Sequence, residues 1–383
     1  MLSQRVNIKP EMIKWARKRA RFTQEELAQK STFKKLPEWE EGKLKPTLKQ
    51  LEQFSRKVHL PIGYLFGSKP PEEKLPITDF RTLPDNKYER PSLELLDTIH
   101  ACLLRRDWYK EFALREQLKP FDFIGSTKTS IPPEEIANQI ARTINYSVPL
   151  RTECKSKEES FRFFRSKVEK VGIMVMVSGI VRNNTNRKLN PNEFRGFALA
   201  DHYAPLIFIN GVDSTAAKIF TLAHELAHLW LGNNGVSNVE LRNDQADNEV
   251  EIWCNKVAAE LLVPKKELED KIRIGEPYQK SISRLSLDFK VSTLVILRRL
   301  LDTGFLERID FESLWDSEIN KIRNRETSGG GDFYANTLSR VGRTFASALI
   351  SSTLENNTLY RDAFGLLDIS STQQFNKLAG EID

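Results

Sequence analysis

Apolar residues recur three and four positions apart along most of the chain, and this spacing predicts helices. One such helix covers residues 216–231, where the apolar positions form a continuous stripe. Asp213 and Ser214 precede it as candidate N-caps, and Gly232 follows as a stop signal. Short runs of consecutive apolar residues predict three buried strands, at 171–179, 195–200 and 204–210. The pattern therefore predicts an α+β fold that is mainly helical and contains a small sheet.

The predicted helix 216–231 contains the sequence His224-Glu225-Leu226-Ala227-His228. Two histidines four residues apart lie on one helical face, so both rings can reach a single ion. Glu225 would then point toward the open side of the ion, where it can take a proton from a water molecule. The alternative is a buried amphipathic helix whose histidines are only hydrogen-bonded.

A third metal ligand is expected, because catalytic zinc usually takes three protein groups and keeps one open position. A second predicted helix, 248–260, supplies Glu251, which we favour on spacing. Asn255 lies one turn further on the same face, where it could hydrogen-bond a ligand histidine and fix its ring. The alternative for Glu251 is an ordinary solvated glutamate. The competing carboxylates are Glu240, Asp244, Asp247 and Glu249.

The segment from FALADHYAPLIFIN through TLAHELAHLWLG, together with EIWCNKVAAELLVP, resembles the ImmA/IrrE family of metallopeptidases. The resemblance is close over residues 190–265. It implies a zincin-like peptidase domain in which zinc is held by His224, His228 and Glu251, with Glu225 as the catalytic base. It also implies cleavage of a partner DNA-binding repressor, which is the activity associated with studied members.

The first 68 residues are basic and carry a capping box, formed by Thr23 and Glu26, at the start of a second helix. The elements FTQEELA and WEEGKLKPTLKQLEQFSRKV resemble XRE-type helix-turn-helix domains. Residues 31–38 depart from that pattern, because the segment is short and Pro37 would break a helix interior. The unit either binds DNA or serves as a helical module for partner contact. The candidate DNA-contacting residues are Lys34, Lys35, Lys43 and Lys45.

The remaining regions complete a predicted domain plan. A helix-turn-helix-like pattern with a Ser292 cap carries Arg298 and Arg299, which we interpret as structural rather than as contacts to nucleic acid. The glycine-rich residues 328–331 predict a hinge. The tail is expected to form one or two amphipathic helices that pack either on the core or on a partner. The predicted boundaries are 1–68 for the helix-turn-helix bundle, 69–91 for a linker, 92–270 for the peptidase domain with its core at 170–265, 271–325 for the helix-turn-helix-like segment and 332–383 for the helical tail.

The composition of the chain bears on its binding partners and its cellular compartment. The net charge is +6 over 383 residues, which permits nucleic-acid binding without requiring it. Cys102, Cys154 and Cys254 form no closely spaced pair, as expected for a reducing cytoplasm. Neither a signal peptide nor a membrane-spanning run is predicted, so we expect a cytoplasmic protein with no membrane partner. Oligomerisation is compatible with the sequence.

The favoured hypothesis is a Zn²⁺-dependent endopeptidase coupled to a DNA-binding-type domain and acting on a repressor or toxin-system protein. The alternative is a non-proteolytic antitoxin that binds a toxin and represses its own operator. For the peptidase, residues 196–200 are the candidate sheet edge for binding an extended substrate. The candidate oxyanion-stabilising residues are His202, Tyr203 and Arg242.

Overall fold

The computed structural model of the protein describes residues 5–71, 75–79, 91–237, 249–323 and 333–382. The chain is mainly helical with a small mixed sheet, which confirms the predicted α+β class. It divides into two compact units, which are described separately. The first comprises Met1–Leu75 and Arg90–Leu96, and the second comprises Pro76–Glu89 and Asp97–Asp383.

The first unit is a bundle of short helices around a buried core that includes Leu51 and Phe54. Thr23 and Glu26 form the predicted capping box, and Thr47 forms a second one with Gln50. The helices are α1 (Pro10–Arg19), α2 (Gln24–Ala28), α3 (Leu36–Glu40) and α4 (Leu48–Lys57), with 3₁₀ turns at Ser31–Phe33 and Ile62–Phe66.

Pro37 does not break a helix in this unit, contrary to the expectation from the sequence. It lies in the first turn of α3, where a missing N–H costs no intrahelical hydrogen bond. The helix is only five residues long, and its Leu36 and Trp39 side chains are buried in the bundle. The region expected to read DNA therefore presents no long exposed helix.

Within the described residues, the second unit contains the remaining helices and the seven strands. Its helices are α5 (Leu93–Arg115, shared with the first unit at its start), α6 (Pro133–Thr143), α7 (Val148–Thr152), α8 (Lys157–Lys170), α9 (Thr215–Leu231), α10 (Glu249–Leu262), α11 (Lys265–Lys271), α12 (Tyr278–Asp288), α13 (Thr293–Asp302), α14 (Arg308–Arg323), α15 (Phe333–Val341), α16 (Arg343–Leu354), α17 (Tyr360–Leu367) and α18 (Thr372–Gly380). Its strands are β1 (Thr78–Asp79), β2 (Met174–Ser178), β3 (Ile180–Val181), β4 (Asn184–Lys188), β5 (Gly196–Leu199), β6 (Leu206–Asn210) and β7 (Gly235–Ser237).

The main sheet has the order β1-β7-β5-β6-β2, and β3 and β4 form a separate antiparallel pair. Strands β2 and β6 are parallel, whereas β5 is antiparallel to both of its neighbours, β6 and β7. The prediction that residues 196–200 form a sheet edge is therefore wrong. Strand β7, whose described residues are Gly235–Ser237, pairs with β5 on the side opposite β6.

Helix α9 packs against β5 and β6 and carries the largest group of buried residues in the second unit. It ends at Gly232, which adopts a left-handed conformation with φ of 74°. A Cβ at Gly232 would lie 2.9 Å from Cα of Gly125, so a side chain there would collide with backbone. The close approach lets the backbone N–H of Gly125 donate to the carbonyl of Leu229 and fixes the end of the helix.

The C-terminal segment packs on its own unit. It forms four helices rather than the expected one or two, and α15 and α16 lie against β2. Arg105 on α5 donates to Asp368 over 2.6 Å, and both side chains are almost fully buried. Phe345 and Leu349 on α16 are buried, whereas Leu359, which precedes α17, is exposed.

Helix α13 begins at the predicted Ser292 cap, whose hydroxyl accepts a hydrogen bond from the amide of Val295. Its two arginines are buried and ion-paired, Arg298 with Asp302 and Arg299 with Glu260. Both arginines therefore form ion pairs inside the protein, which agrees with their interpretation as structural residues rather than as contacts to nucleic acid. Residues 328–331, the predicted hinge, lie outside the described residues.

In the part of the chain that the structure describes, no helix has both the length and the apolar character needed to span a bilayer.

Candidate metal centre

Helix α9 brings the two histidines of the HExxH sequence to one face. The helix is capped by Ser214, whose hydroxyl accepts a hydrogen bond from the amide of Ala217. His224 and His228 are one turn apart, and their Nε2 atoms are separated by 3.0 Å. Both side chains are completely buried. Two ring nitrogens so close together indicate that the rings share one binding position.

Glu251 on α10 completes a group of three donors. Its Oε2 atom lies 3.2 Å from His224 Nε2, and its Oε1 atom lies 2.9 Å from His228 Nε2. The donor atoms of a tetrahedral zinc site, with bonds of about 2.0–2.1 Å, are roughly 3.3 Å apart. The spacing and the nitrogen–nitrogen–oxygen donor set therefore fit a zinc ion held by these three residues.

Charge supports the same arrangement. Although burial alone would raise the pKa of Glu251, the two adjacent histidines hold it at about 2, so this carboxylate is ionised. Burial alone would lower the pKa of His224, but the Glu251 carboxylate raises it. Of the competing carboxylates, Glu249 is exposed. The others, Glu240, Asp244 and Asp247, lie outside the described residues.

Asn255 holds the ring of His224 in place. Its Oδ1 atom lies 2.9 Å from Nδ1 of His224, one turn along α10 from Glu251. Because an amide oxygen only accepts, this contact requires a hydrogen on Nδ1, which leaves Nε2 as the ring nitrogen that would bind a metal ion. The predicted pairing of Asn255 with a ligand histidine is thus present in the structure, and it selects the tautomer that binds a metal.

Glu225 lies beside the three donors but is not one of them. Its side chain is fully buried, and this burial raises its pKa to about 8, with a further increase from Glu251. The sheet approaches it closely at Gly196, where a Cβ would lie 3.0 Å from Oε1 of Glu225 and 2.6 Å from Cγ2 of Thr221. Gly196 therefore makes room for the glutamate beneath β5.

Ser237, at the end of β7, is a site residue that the sequence did not indicate. Its hydroxyl oxygen lies 3.4 Å from Nε2 of His228, and it acts to lower the pKa of Glu225. The residue is completely buried. Its only sequence signal is a position nine residues after His228, which identifies no chemistry.

Two of the three candidate oxyanion-stabilising residues, His202 and Tyr203, lie in a loop away from this centre. His202 is exposed and lies in the loop that follows β5. Its Nδ1 atom is 3.3 Å from the carbonyl oxygen of Phe121. Tyr203 is in the same loop, where its amide donates to Asp201. Within the described part of the chain, neither side chain hydrogen-bonds to the three donors. Arg242 lies outside the described residues.

The candidate DNA-contacting lysines are on the surface of the first unit. Lys34 and Lys35 lie just before α3, and Lys43 and Lys45 lie in the loop after it. All four are exposed. Lys43 forms an ion pair of 2.7 Å with Glu41, which offsets part of its charge.

Comparison with known protein families identifies two regions. Residues 341–381 match a domain of unknown function, DUF8813. A search of the curated proteins found no match. Residues 168–301 match Peptidase_M78, the IrrE N-terminal-like domain, and this range includes all of the candidate metal centre. This region is therefore similar to the metallopeptidase domain of the ImmA/IrrE family.

Proposed function

We propose that the second unit is a zinc-dependent endopeptidase that cleaves a regulatory protein, such as a repressor or a toxin-system partner. The observation that carries the proposal is the position of Glu225, a buried carboxyl group beside a set of three donors in the described residues. A purely structural zinc usually has four protein ligands and needs no base. The match to a peptidase family supports the same function.

His224, His228 and Glu251 would hold the zinc ion. When bound, the ion would polarise the scissile carbonyl and make water easier to deprotonate. Glu225 accepts the proton of the attacking water on a carboxylate oxygen as the new C–O bond forms. It then returns this proton to the leaving nitrogen as the peptide C–N bond breaks.

Substrate capture by Glu225→Gln tests this assignment. The amide retains the size of the side chain but cannot accept the proton. We expect the variant to retain a protein that wild type releases as fragments. Equal and stable retention of one intact partner by both forms would contradict proteolysis, and would support the alternative of an antitoxin that acts by binding.

For the first unit we propose contact with DNA phosphates rather than base reading. Exposed Lys34, Lys35 and Lys45 support phosphate contact, and the five-residue α3 with its buried Leu36 and Trp39 disfavours major-groove readout. Fluorescence anisotropy with two unrelated duplexes tests this. We expect similar affinities for both and a shallower salt dependence for Lys34→Ala/Lys35→Ala. Strong preference for one duplex, or no binding, would contradict it.

A further inference from the structure

A cavity of about 530 Å³ lies in the second unit, between α8, the start of α9 and the C-terminal helices. The three metal donors do not line it. Its apolar lining consists of Phe161 on α8, Val177 on β2 and Leu338 on α15, which are all nearly buried. Cavities of this size, with apolar walls and a few polar groups, are typical of small-molecule binding sites.

The polar lining of this cavity is mostly charged. Arg165 is the most firmly held of its cations. The Nη2 atom of Arg165 lies 3.1 Å from Oε1 of Glu169 and donates to the carbonyl of Val175 over 2.8 Å, and its Nη1 atom donates to the hydroxyl of Ser339. This ion pair neutralises one cation and one carboxylate. The charged lining comprises four cations and three carboxylates: Arg162, Arg165, Lys218 and Arg343, with Glu158, Glu169 and Glu381.

Lys218 on α9 is a half-buried cation beside the apolar wall. Its Nζ atom lies 5.7 Å from the centre of the Phe161 ring. Among the described residues, no carboxylate forms an ion pair with it. Burial lowers the pKa of Lys218, while Asp213 and Glu158 act on it from a longer distance in the opposite direction. Partial burial of an ammonium group without an ion pair has a free-energy cost, which a bound anion would offset.

The two carboxylates that influence Lys218 have other partners. Asp213 pairs with Arg195 at 3.2 Å. Glu158 lies in the first turn of α8, where its own backbone amide and the hydroxyls of Ser156 and Thr215 lower its pKa. Neither carboxylate is therefore a dedicated partner of the ammonium group.

Two arginines add positive charge at the rim of the cavity. Arg162 follows Phe161 on α8, is exposed, and forms no ion pair with the residues that the structure describes. Arg343 donates to the backbone carbonyl of Glu381 over 3.2 Å, a contact that leaves its charge unneutralised. With Arg165 and Glu169 paired, three cations face two carboxylates, so the lining favours a ligand with one negative group.

We propose that this cavity binds a small organic anion, a molecule in which one carboxylate or phosphate group is joined to an apolar body. Lys218 and Arg162 would contact the acidic group, since both lie beside Phe161. The apolar body would contact Phe161, Val177 and Leu338. Such a ligand would touch α9 and α15 together and so join the HExxH helix to the C-terminal segment. The inference does not depend on peptidase activity.

A matched pair of fluorescent probes tests the proposal on the full chain. Anilinonaphthalene sulfonate carries one negative group, and phenylnaphthylamine has the same rings without the charge. We expect the sulfonate to bind about tenfold more weakly to Lys218→Gln than to wild type, the effect of losing one hydrogen bond to a charged group. The control is Lys170→Gln, an exposed position on α8 outside the cavity lining, and it should bind as wild type does. The uncharged probe should bind equally to all three forms.

Arg162→Gln, at an exposed position, gives a second test that does not alter a buried side chain, and it should also weaken sulfonate binding. Decanoate and phenyl phosphate, added as competitors, distinguish a carboxylate ligand from a phosphate ligand by which of them displaces the probe. No displacement by either, or equal sulfonate affinity in Lys218→Gln and Lys170→Gln, would overturn the proposal. Equal weakening of both probes by Lys218→Gln would also overturn it, because the effect would then be one of packing rather than of charge.

Thermal unfolding separates binding from a structural role of Lys218. Because a half-buried ammonium without an ion pair destabilises the fold, Lys218→Gln should melt at or above the temperature of wild type in the absence of ligand. A lower melting temperature than that of Lys170→Gln would show that Lys218 stabilises the fold, and would contradict its assignment as a ligand-binding residue.

Discussion

Oδ1 of Asn255 lies 2.9 Å from Nδ1 of His224, and this contact connects α10 to the HExxH helix at a second point besides Glu251. The hydrogen bond does more than join two helices. It favours the hydrogen on Nδ1, so that Nε2 is the nitrogen left to bind a metal ion. One asparagine therefore determines both the orientation and the tautomer of a predicted zinc ligand.

Asn255→Ala is expected to weaken zinc binding about 10–100-fold, the usual cost of losing a residue that orients a metal ligand. The three donors remain, so the variant should still bind one zinc ion. Competition against a chelating dye would measure the affinity. Lys256→Ala is the control, because this residue is exposed on the same helix. A zinc affinity equal to that of wild type would show that Asn255 does not orient the ring.

Gly196→Ala is expected to lower cleavage and to destabilise the fold by about 1–3 kcal/mol, because the added methyl overlaps atoms that cannot move freely. Its Cβ would lie 2.9 Å from the carbonyl oxygen of Phe208 and 3.0 Å from Oε1 of Glu225. Denaturant unfolding and an assay of substrate cleavage would measure the two effects. Gly365→Ala is the control, since a Cβ there meets no atom within 4 Å. Equal stability of the two variants would contradict the packing described at Gly196.

Removal of zinc with EDTA is expected to destabilise the wild-type protein. At a zinc concentration of about 1,000 times the dissociation constant, linkage gives a loss of about 4 kcal/mol. Glu251→Gln weakens the site, so its melting temperature should respond much less to the chelator. Thermal unfolding with zinc and with EDTA would measure this. A chelator effect of the same size in both proteins would place the zinc elsewhere.

Glu40→Gln is expected to destabilise the first unit by about 1.5–3 kcal/mol, the value of a hydrogen-bonded charge. Glu40 accepts hydrogen bonds from Arg17 at 2.6 and 2.9 Å, and both side chains are largely buried. Denaturant-dependent hydrogen exchange of the amides of α1 to α4 would report on this unit. Glu38→Gln, on the exposed side of the same helix, should change stability much less. Equal effects would show that the ion pair contributes little.

The sequence predicted the centre of the site well because its chemistry depends on local spacing. Residues four apart on a helix share a face whatever the tertiary structure, so His224 and His228 could be paired from the sequence alone. Glu251 and Asn255 were likewise one turn apart on a predicted helix. Their approach to α9 needed the assumption that the two helices pack together, and the distances to His224 show that they do.

The sheet around the site was predicted less well, because strand pairing is set by contacts between distant segments. Strands β5 and β6 are apolar runs and were recognised. The described part of β7, Gly235–Ser237, contains a single apolar side chain, Val236, which is too little to predict a strand. Consequently the sequence could not reveal that β5 is covered on both sides, nor that Ser237 reaches His228.

The most direct test of the central claim is a comparison of protein N-termini by mass spectrometry in the native host. Cells would express wild type, Glu225→Gln or Glu249→Gln, the last being a control on an exposed glutamate of α10. We predict new N-termini in one or a few proteins with wild type and Glu249→Gln, and a loss of about 100-fold or more with Glu225→Gln. The same N-termini at the same abundance with Glu225→Gln would contradict the assignment of this chain as a metallopeptidase with Glu225 as its base.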